Sequence, residues 1–334
     1  MKRKPLSENS ILRKILASCR PSPNSGGVSP SIVLGMGDDA ALFRPKTGHE
    51  TILTCDWFLE GTHFLRHKHP PDSVGWKCLA RALSDIAAMG GTPRCFLLSL
   101  ALPGSLTGRW LDAFLVGLRR ASRKFQCVLA GGDSTRRDKV LINVTVIGEV
   151  QAGSAVRRSG ARAGDLIYVS GRLGEAELGL EILKQTKKPA IQNNPLTRKH
   201  LFPEPRIRLG QWLAKKRLVS SMMDLSDGLS SDLPQLCAAS ATGAQIEATK
   251  LPAVRLTSPP HRPGAHPTSL ALHGGDDYEL LFTVPPRKAK MVPRYFEGLR
   301  LTAVGEITSK RGVRVLTESG HVHVLPAGGW DPFR

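Results

Sequence analysis

Aspartates set beside glycines are the residues whose type and spacing could do chemistry in this chain of 334 residues. In Gly131-Gly132-Asp133-Ser134-Thr135-Arg136, an apolar segment (127–130) runs into two glycines, a carboxylate, two hydroxyls and an arginine. Paired glycines let a backbone approach a ligand closely, and Asp133 is expected where a strand leaves the core. A bare carboxylate repels a phosphate, but a Mg²⁺ ion between the two turns it into a phosphate seat. A plain strand-to-loop turn would use the same residues, so recurrence has to decide. Asp39 follows Gly35-Met36-Gly37-Asp38, Asp56 ends the run 51–55, and Asp85 lies in the last turns of an apolar helix. Asp224 and Asp227 sit in Asp224-Leu225-Ser226-Asp227-Gly228.

Short carboxylates at the ends of apolar segments are costly to desolvate unless they are paired. The plentiful Arg and Lys could pair them, and a multi-metal site is the other solution. Mg²⁺ takes one or two protein carboxylates per ion, together with phosphate oxygens and water. The pattern points to ATP or another polyphosphate held through metal rather than through a lysine-bearing loop. Neither Gly-x-x-x-x-Gly-Lys-Ser/Thr nor a complete dinucleotide fingerprint occurs. No Ser-His-Asp or His-Glu-x-x-His signature stands out. Phosphoryl transfer needs positioning and charge neutralisation, so a missing nucleophile does not count against it.

The elements that must position these residues alternate in type. Residues 7–17 read as a short helix, 32–34 and 51–56 as strands, and 72–89 as a helix with Val74, Cys78, Ala82 and Ile86 on one face. Then come a strand (96–102), an amphipathic helix (107–125) burying Trp110, Leu111, Phe114, Leu115 and Leu118, and a buried strand (140–146). A second unit starts near Val150, with a strand at 166–170, a helix at 175–183 and a strand at 219–223 running into Asp224. The following helix carries Leu229, Leu233, Leu236 and Cys237, with Ser226 or Asp227 expected as its N-cap. Gly274-Gly275-Asp276-Asp277-Tyr278 precedes a strand at 279–284, and 21–30, 187–195 and 259–267 read as loops. The expected fold class is α/β (α+β), in two domains, 1–150 and 151–334.

Composition bounds the remaining classes. A hydrophobic content of 41% is ordinary for a globular protein. No apolar run is long enough to cross a bilayer, and no signal-peptide core follows the basic residues 1–5. A cytoplasmic location and no membrane partner are expected. Six cysteines without a Cys-x-x-Cys pair suggest reduced, mostly buried thiols. The net charge of +19 raises nucleic acid as a partner, but the basic residues are spread along the chain and only 5% of residues are aromatic. A basic field draws in small polyanions equally well.

Taken together the motifs resemble the thiamine-monophosphate kinase family, in the aminoimidazole-ribonucleotide synthetase-like superfamily. The similar blocks, in family order, are GMGDDAALF (35–43), TCDWFLEGTHF (54–64), LSDIAAMGGTP (83–93), GGDSTR (131–136), RRSGARAGD (157–165), DLSDGLSSDL (224–233) and GGDDYELLFTVP (274–285). The resemblance implies transfer of the ATP γ-phosphoryl group to the phosphate of thiamine monophosphate, giving thiamine diphosphate, the last step of that cofactor's biosynthesis. It implies several Mg²⁺ ions on Asp39, Thr54, Asp56, Asp85, Asp133, Asp224 and Asp227, and ATP contacts from Gly132, Asp133, Arg158 and Ser226. It further implies a thiamine-phosphate pocket lined by His63, Asp276 and Trp330, and no general base, because the accepting phosphate oxygen is already anionic. The family fold has two domains, the N-terminal sheet forming a barrel across a homodimer. Cys55, Asp276 and the tail Trp330-Asp331-Pro332-Phe333 depart from the family's usual residues. The alternatives are a related superfamily enzyme with another acceptor and a basic nucleic-acid-binding protein on an inactive scaffold.

Overall fold

The computed structural model describes residues 6–19, 31–36, 40–185, 194–256, 266–326 and 328–333. Asp39, the loop expected at 21–30, and most of those at 187–195 and 259–267 lie outside the described residues. The chain divides into two compact units: Met1–Ile86 with Gly91–Gly153, and Ala87–Gly90 with Ser154–Arg334.

The first unit runs α1 (Glu8–Cys19), β1 (Ile32–Leu34), β2 (Leu42–Phe43), β3 (His49–Leu59), α2 (Pro71–Ala88), β4 (Thr92–Leu102), α3 (Arg109–Phe125), β5 (Val128–Arg136) and β6 (Leu141–Gln151). Its main sheet has the order β3-β6-β4-β5. β6 is antiparallel to both β3 and β4, whereas β4 and β5 are parallel, as the crossover through α3 requires. On α2, Val74, Cys78, Ala82 and Ile86 are all buried, as their spacing of four predicts. The two helices touch backbone to backbone: a Cβ on Gly75 would stand 2.0 Å from the Phe114 carbonyl oxygen, and one on Gly117 1.8 Å from that of Asp72. The buried face of α3 runs through Leu111, Phe114, Leu115 and Leu118, with Trp110 only half-buried at its edge.

Two strands are longer than their apolar runs predict. β3 continues through Asp56 to Leu59, and β5 continues through Gly131 to Arg136. Asp56 and Asp133 are therefore residues within strands rather than at strand ends. Ladder hydrogen bonds along β6 and β4 carry the extended backbone past the point where apolar side chains stop.

The second unit runs β7 (Leu166–Ser170), α4 (Glu175–Gln185), α5 (Pro195–Leu201), α6 (Ile207–Lys215), β8 (Ser221–Leu225), α7 (Leu229–Ala239), β9 (Gly243–Glu247), α8 (Pro267–His273), β10 (Glu279–Val284), β11 (Tyr295–Phe296), β12 (Leu299–Thr308), β13 (Gly312–Leu316) and β14 (Val322–Val324). Its sheet has the order β14-β13-β9-β12-β7-β10-β8, with β11 paired to β12. Only the β9–β13 pair is parallel among the described strands of this sheet. Every residue of β10 is buried, including Glu279 and Thr283, as in a strand covered on both faces between β7 and β8. Ile167, Val169, Met223, Leu281 and Val304 pack with α7 residues Leu233 and Leu236 in one cluster, while Tyr168, Met222, Leu280 and Phe282 pack with α6 residues in another. The architecture is α+β with mixed sheets.

Candidate active site

In the first unit the candidate residues are set by the two-residue period of β3. Ile52 and Phe58 are buried on one face, and Thr54 and Asp56 lie half-buried between them. Thr54 Oγ1 donates a hydrogen bond to Asp85 Oδ2 on α2. Asp85 sits near the helix C-terminus, where the macrodipole disfavours a carboxylate, and this bond offsets part of that cost. Cys55 points to the opposite face, where its Sγ pairs with the Asn143 side chain of β6 at 3.1–3.3 Å. His63 accepts a hydrogen bond from the Leu59 N–H at 3.0 Å, which fixes its ring against the turn after β3.

Gly132 answers first to the sheet. Leu129 pairs with Phe96 and Gly131 with Leu97, so Ala130 is an extra residue that bulges β5. Gly132 follows at φ +151°, and a Cβ there would lie 2.0 Å from the Leu98 carbonyl oxygen. Asp133 is exposed, and its Oδ1 accepts the Ser134 N–H at 2.8 Å. Asp56 pairs with Val144, Val144 with Leu98, and Leu98 with Gly132. Asp56 and Asp133 are thus almost level across the sheet, but β6 and β4 stand between them. A cavity of about 350 Å³ opens beside Ser134 and Arg136, with Leu6, Ile11 and Leu102 as apolar walls.

In the second unit the residues cluster. β8 delivers Asp224, which is buried, and the chain then turns through Ser226 and Asp227. The N-cap of α7 is Gly228 at φ +100°, with no side-chain cap bond, so neither Ser226 nor Asp227 caps the helix. Instead Asp232, in the first turn of α7, accepts the Asp227 N–H at 3.1 Å. The Ser226 carbonyl accepts the Asp276 N–H at 2.8 Å, and the Asp227 carbonyl accepts the Trp330 N–H at 2.9 Å. Four candidates distant in sequence are thereby tied into one backbone-bonded group. Asp276, at φ +67°, accepts the Tyr278 hydroxyl at 2.6 Å, and His200 Nδ1 lies 3.7 Å from its other oxygen. The Arg158 guanidinium is exposed and donates to Gln235 of α7 at 2.8 Å.

The neighbouring Asp277 has a different task. It is buried and accepts the Gly174 and Ala176 N–H groups at 2.6 and 3.1 Å, anchoring the start of α4. Burial pushes its carboxyl up to about 7 against the pull of these bonds. Below it Glu279, fully buried, accepts from Ser170 at 2.5 Å, Lys199 at 2.8 Å and Arg206 Nε at 2.7 Å. The two cations hold Glu279 down to about 2 in spite of its burial. Asp232, His200, Tyr278 and Glu279 were not predicted from sequence. Asp232 alone carried a signal, as an acidic residue in a helix first turn just after a candidate aspartate.

Among the described residues, no three His, Cys, Asp or Glu side chains converge as a self-sufficient metal site. This accords with Mg²⁺, which completes its octahedron with water and phosphate oxygens rather than with a protein cage. In the second unit Asp232 lies within reach of the field of two other carboxylates. Burial, with the nearby Asp224 and Asp227 carboxylates, pushes Asp232 up to about 8. A divalent ion is one group that would relieve this repulsion.

Residues 37–150 match the family described as AIR synthase related protein, N-terminal domain, and residues 162–318 match AIR synthase related protein, C-terminal domain. The thiamine-monophosphate kinase of Bacillus subtilis (strain 168) is 33% identical over 313 residues, covering 91% of this chain and 94% of that protein. The crystal structure of thiamine-monophosphate kinase from Stenotrophomonas maltophilia K279a aligns with a TM-score of 0.77 at 34% identity, covering 92% of this chain and 94% of that one. The structure described as AaThiL complexed with AMPPCP and TMP aligns with a TM-score of 0.75 at 34% identity, covering 86% and 88%.

Proposed function

Since the chain belongs to the thiamine-monophosphate kinase family of AIR synthase related proteins, we propose that it uses ATP to phosphorylate thiamine monophosphate, giving thiamine diphosphate and ADP. The observation that carries this reading is the likeness, across both halves of the chain, to a structure complexed with the ATP analogue AMPPCP and with TMP. The acceptor is a phosphate oxygen, so no proton has to be removed before it attacks. The barrier is the approach of two polyanions, and Mg²⁺ when bound supplies the charge that screens them.

The residues divide that work. Asp56, Asp85 and Asp133 of the first unit and Asp224 and Asp227 of the second, with Asp39, are read as the carboxylates that hold the ions. Thr54 keeps Asp85 oriented through its hydroxyl. Gly132 and Ser226 are read as offering backbone and hydroxyl to the nucleotide, and Arg158 as placing a guanidinium on its phosphates. Asp276 and Trp330 share the backbone-bonded group of the second unit. There they are read as lining the thiamine-phosphate pocket, the indole stacking on a substrate ring. His63 belongs to the same reading through its Nε2, because its Nδ1 is engaged with Leu59.

A homodimer located in the cytoplasm completes the reading. β3 is an edge strand whose second face exposes Leu53 and Trp57, at 69% and 55%. Large apolar side chains exposed on a sheet edge are normally covered, and a second copy closing a barrel would cover them. The direct test incubates purified protein with ATP, MgCl₂ and thiamine monophosphate and follows thiamine diphosphate by chromatography. Folded protein that makes none would overturn the proposal.

A further inference from the structure

A second cavity, in the C-terminal unit, has the opposite chemistry to the aspartate turns. It is an open depression of about 550 Å³ whose lining includes Arg172, Lys250, Arg255, Arg300 and Thr302. Three segments far apart in sequence are laced together to form it. The Gly171 N–H donates to the Arg300 carbonyl at 2.8 Å, the Leu173 N–H to Pro252 at 3.0 Å, and the Val254 N–H to Leu173 at 2.9 Å. Arg172 is therefore held between two backbone bonds, with Arg300 on one side and the 250–255 segment on the other.

The charge in this cavity is only partly answered. Lys250 bonds Glu247 at 2.7 Å, and Arg172 lies 3.9 Å from Glu175. Among the described residues, Arg255 and Arg300 have no ion-pair partner. Thr302 also lines this surface, and its Oγ1, just beneath it, is buried without a hydrogen-bond partner. A buried hydroxyl costs stability unless a group arrives to bond it. Arg255 and Arg300, both exposed, line one concave surface together with Arg172 and Lys250. Guanidinium forks match phosphate oxygens in geometry as well as charge.

We propose that this cavity is a binding site for a small polyphosphate anion, of the inorganic pyrophosphate or diphosphate-ester class, separate from the residues read as serving the kinase reaction. A nucleic-acid backbone would need a basic stripe, whereas here the cations line a single depression of small-molecule size. The proposal does not depend on the kinase reading, since none of the lining residues takes part in it.

The test is calorimetric titration of the full chain with sodium pyrophosphate in low salt and EDTA. Without metal, the aspartate turns repel the anion and do not compete for it. Saturable binding is expected, and Arg255→Gln/Arg300→Gln should weaken it about a hundredfold, from roughly tenfold per charge-assisted contact. Thr302→Val keeps shape and loses only the hydroxyl. It should weaken binding several-fold with an unchanged or higher melting temperature. Both variants should keep the parent KM values for ATP and thiamine monophosphate. Displacement of pyrophosphate by ADP or thiamine diphosphate would identify the diphosphate group of a larger metabolite as the ligand; no displacement would identify the free anion. Absent binding, binding that survives the double variant, or equal competition by duplex DNA at matched phosphate concentration would each overturn the proposal.

Discussion

At the scale of single residues, Gly132 and Asp133 stand side by side and answer to different constraints. Gly132 is required by the sheet, because any side chain would collide with the Leu98 carbonyl and would also have to adopt φ +151°. Gly132→Ala is expected to lower stability by about 2–4 kcal/mol, as read from urea denaturation midpoints, since strain at a special backbone conformation adds to a core clash. Asp133 is exposed and bonds only locally. Asp133→Asn should leave the melting temperature within a few degrees of the parent while abolishing thiamine diphosphate formation. A large loss of stability would mark Asp133 as a structural residue instead. Thr54→Val tests the orientation of Asp85: turnover should fall at least about tenfold, equivalent to ~1.4 kcal/mol, and higher Mg²⁺ should restore part of it.

Elements decide which carboxylates stay accessible and which become struts. Asp276 and Asp277 are adjacent, yet the turn from Gly274 into β10 presents one to the pocket group and buries the other under α4. Glu279 locks β10 to Lys199 of α5 and to Arg206 just before α6. Removing its charge strands two cations, so Glu279→Gln should cost about 3–5 kcal/mol at pH 7. The sign of its pH dependence follows from the depressed carboxyl. Unfolded, Glu279 titrates near 4.5; folded, near 2. As pH falls the unfolded chain takes up the proton first. The stabilisation is complete above about 4.5 and is lost between there and about 2, where the parent and Glu279→Gln denaturation midpoints should converge. Asp277 works in the opposite sense. Its raised carboxyl makes the folded chain bind more protons between about 3.8 and 7, so its contribution declines as pH rises through that range.

At the scale of the whole molecule, the first sheet displays its candidate carboxylates on opposite edges. Asp56 lies on β3 and Asp133 on β5, with two strands between them. An edge strand that exposes Leu53 and Trp57 is an aggregation hazard in a monomer and an asset in a symmetric dimer. Light scattering coupled to gel filtration should find the parent as a dimer at micromolar concentration and Leu53→Glu/Trp57→Glu as a monomer with greatly reduced turnover. A monomeric parent would remove the dimer from the proposal. The net charge of +19 favours the arrival of polyanionic substrates, an effect that salt should screen.

The sequence by itself determined the family and most of the long elements. Helical spacing of Val74, Cys78, Ala82 and Ile86 defined α2, and the apolar run ending at Val284 defined a central strand. Recurrent aspartates beside glycines pointed to a polyphosphate held through metal, and seven motifs in order pointed to the family. Short helices such as α5 and α8, of seven residues each, were not legible because they show too few turns for a period to emerge. The true extents of β3 and β5 were not legible either, because backbone ladders rather than side-chain patterning carry them past their aspartates. Only the tertiary structure decided that Gly228 rather than Ser226 or Asp227 begins α7, that Asp277 is a strut, and that Ser226, Asp227, Asp276 and Trp330 form one group. The last two of these outcomes rest on hydrogen bonds between residues distant in sequence, and one-dimensional spacing carries no record of such bonds.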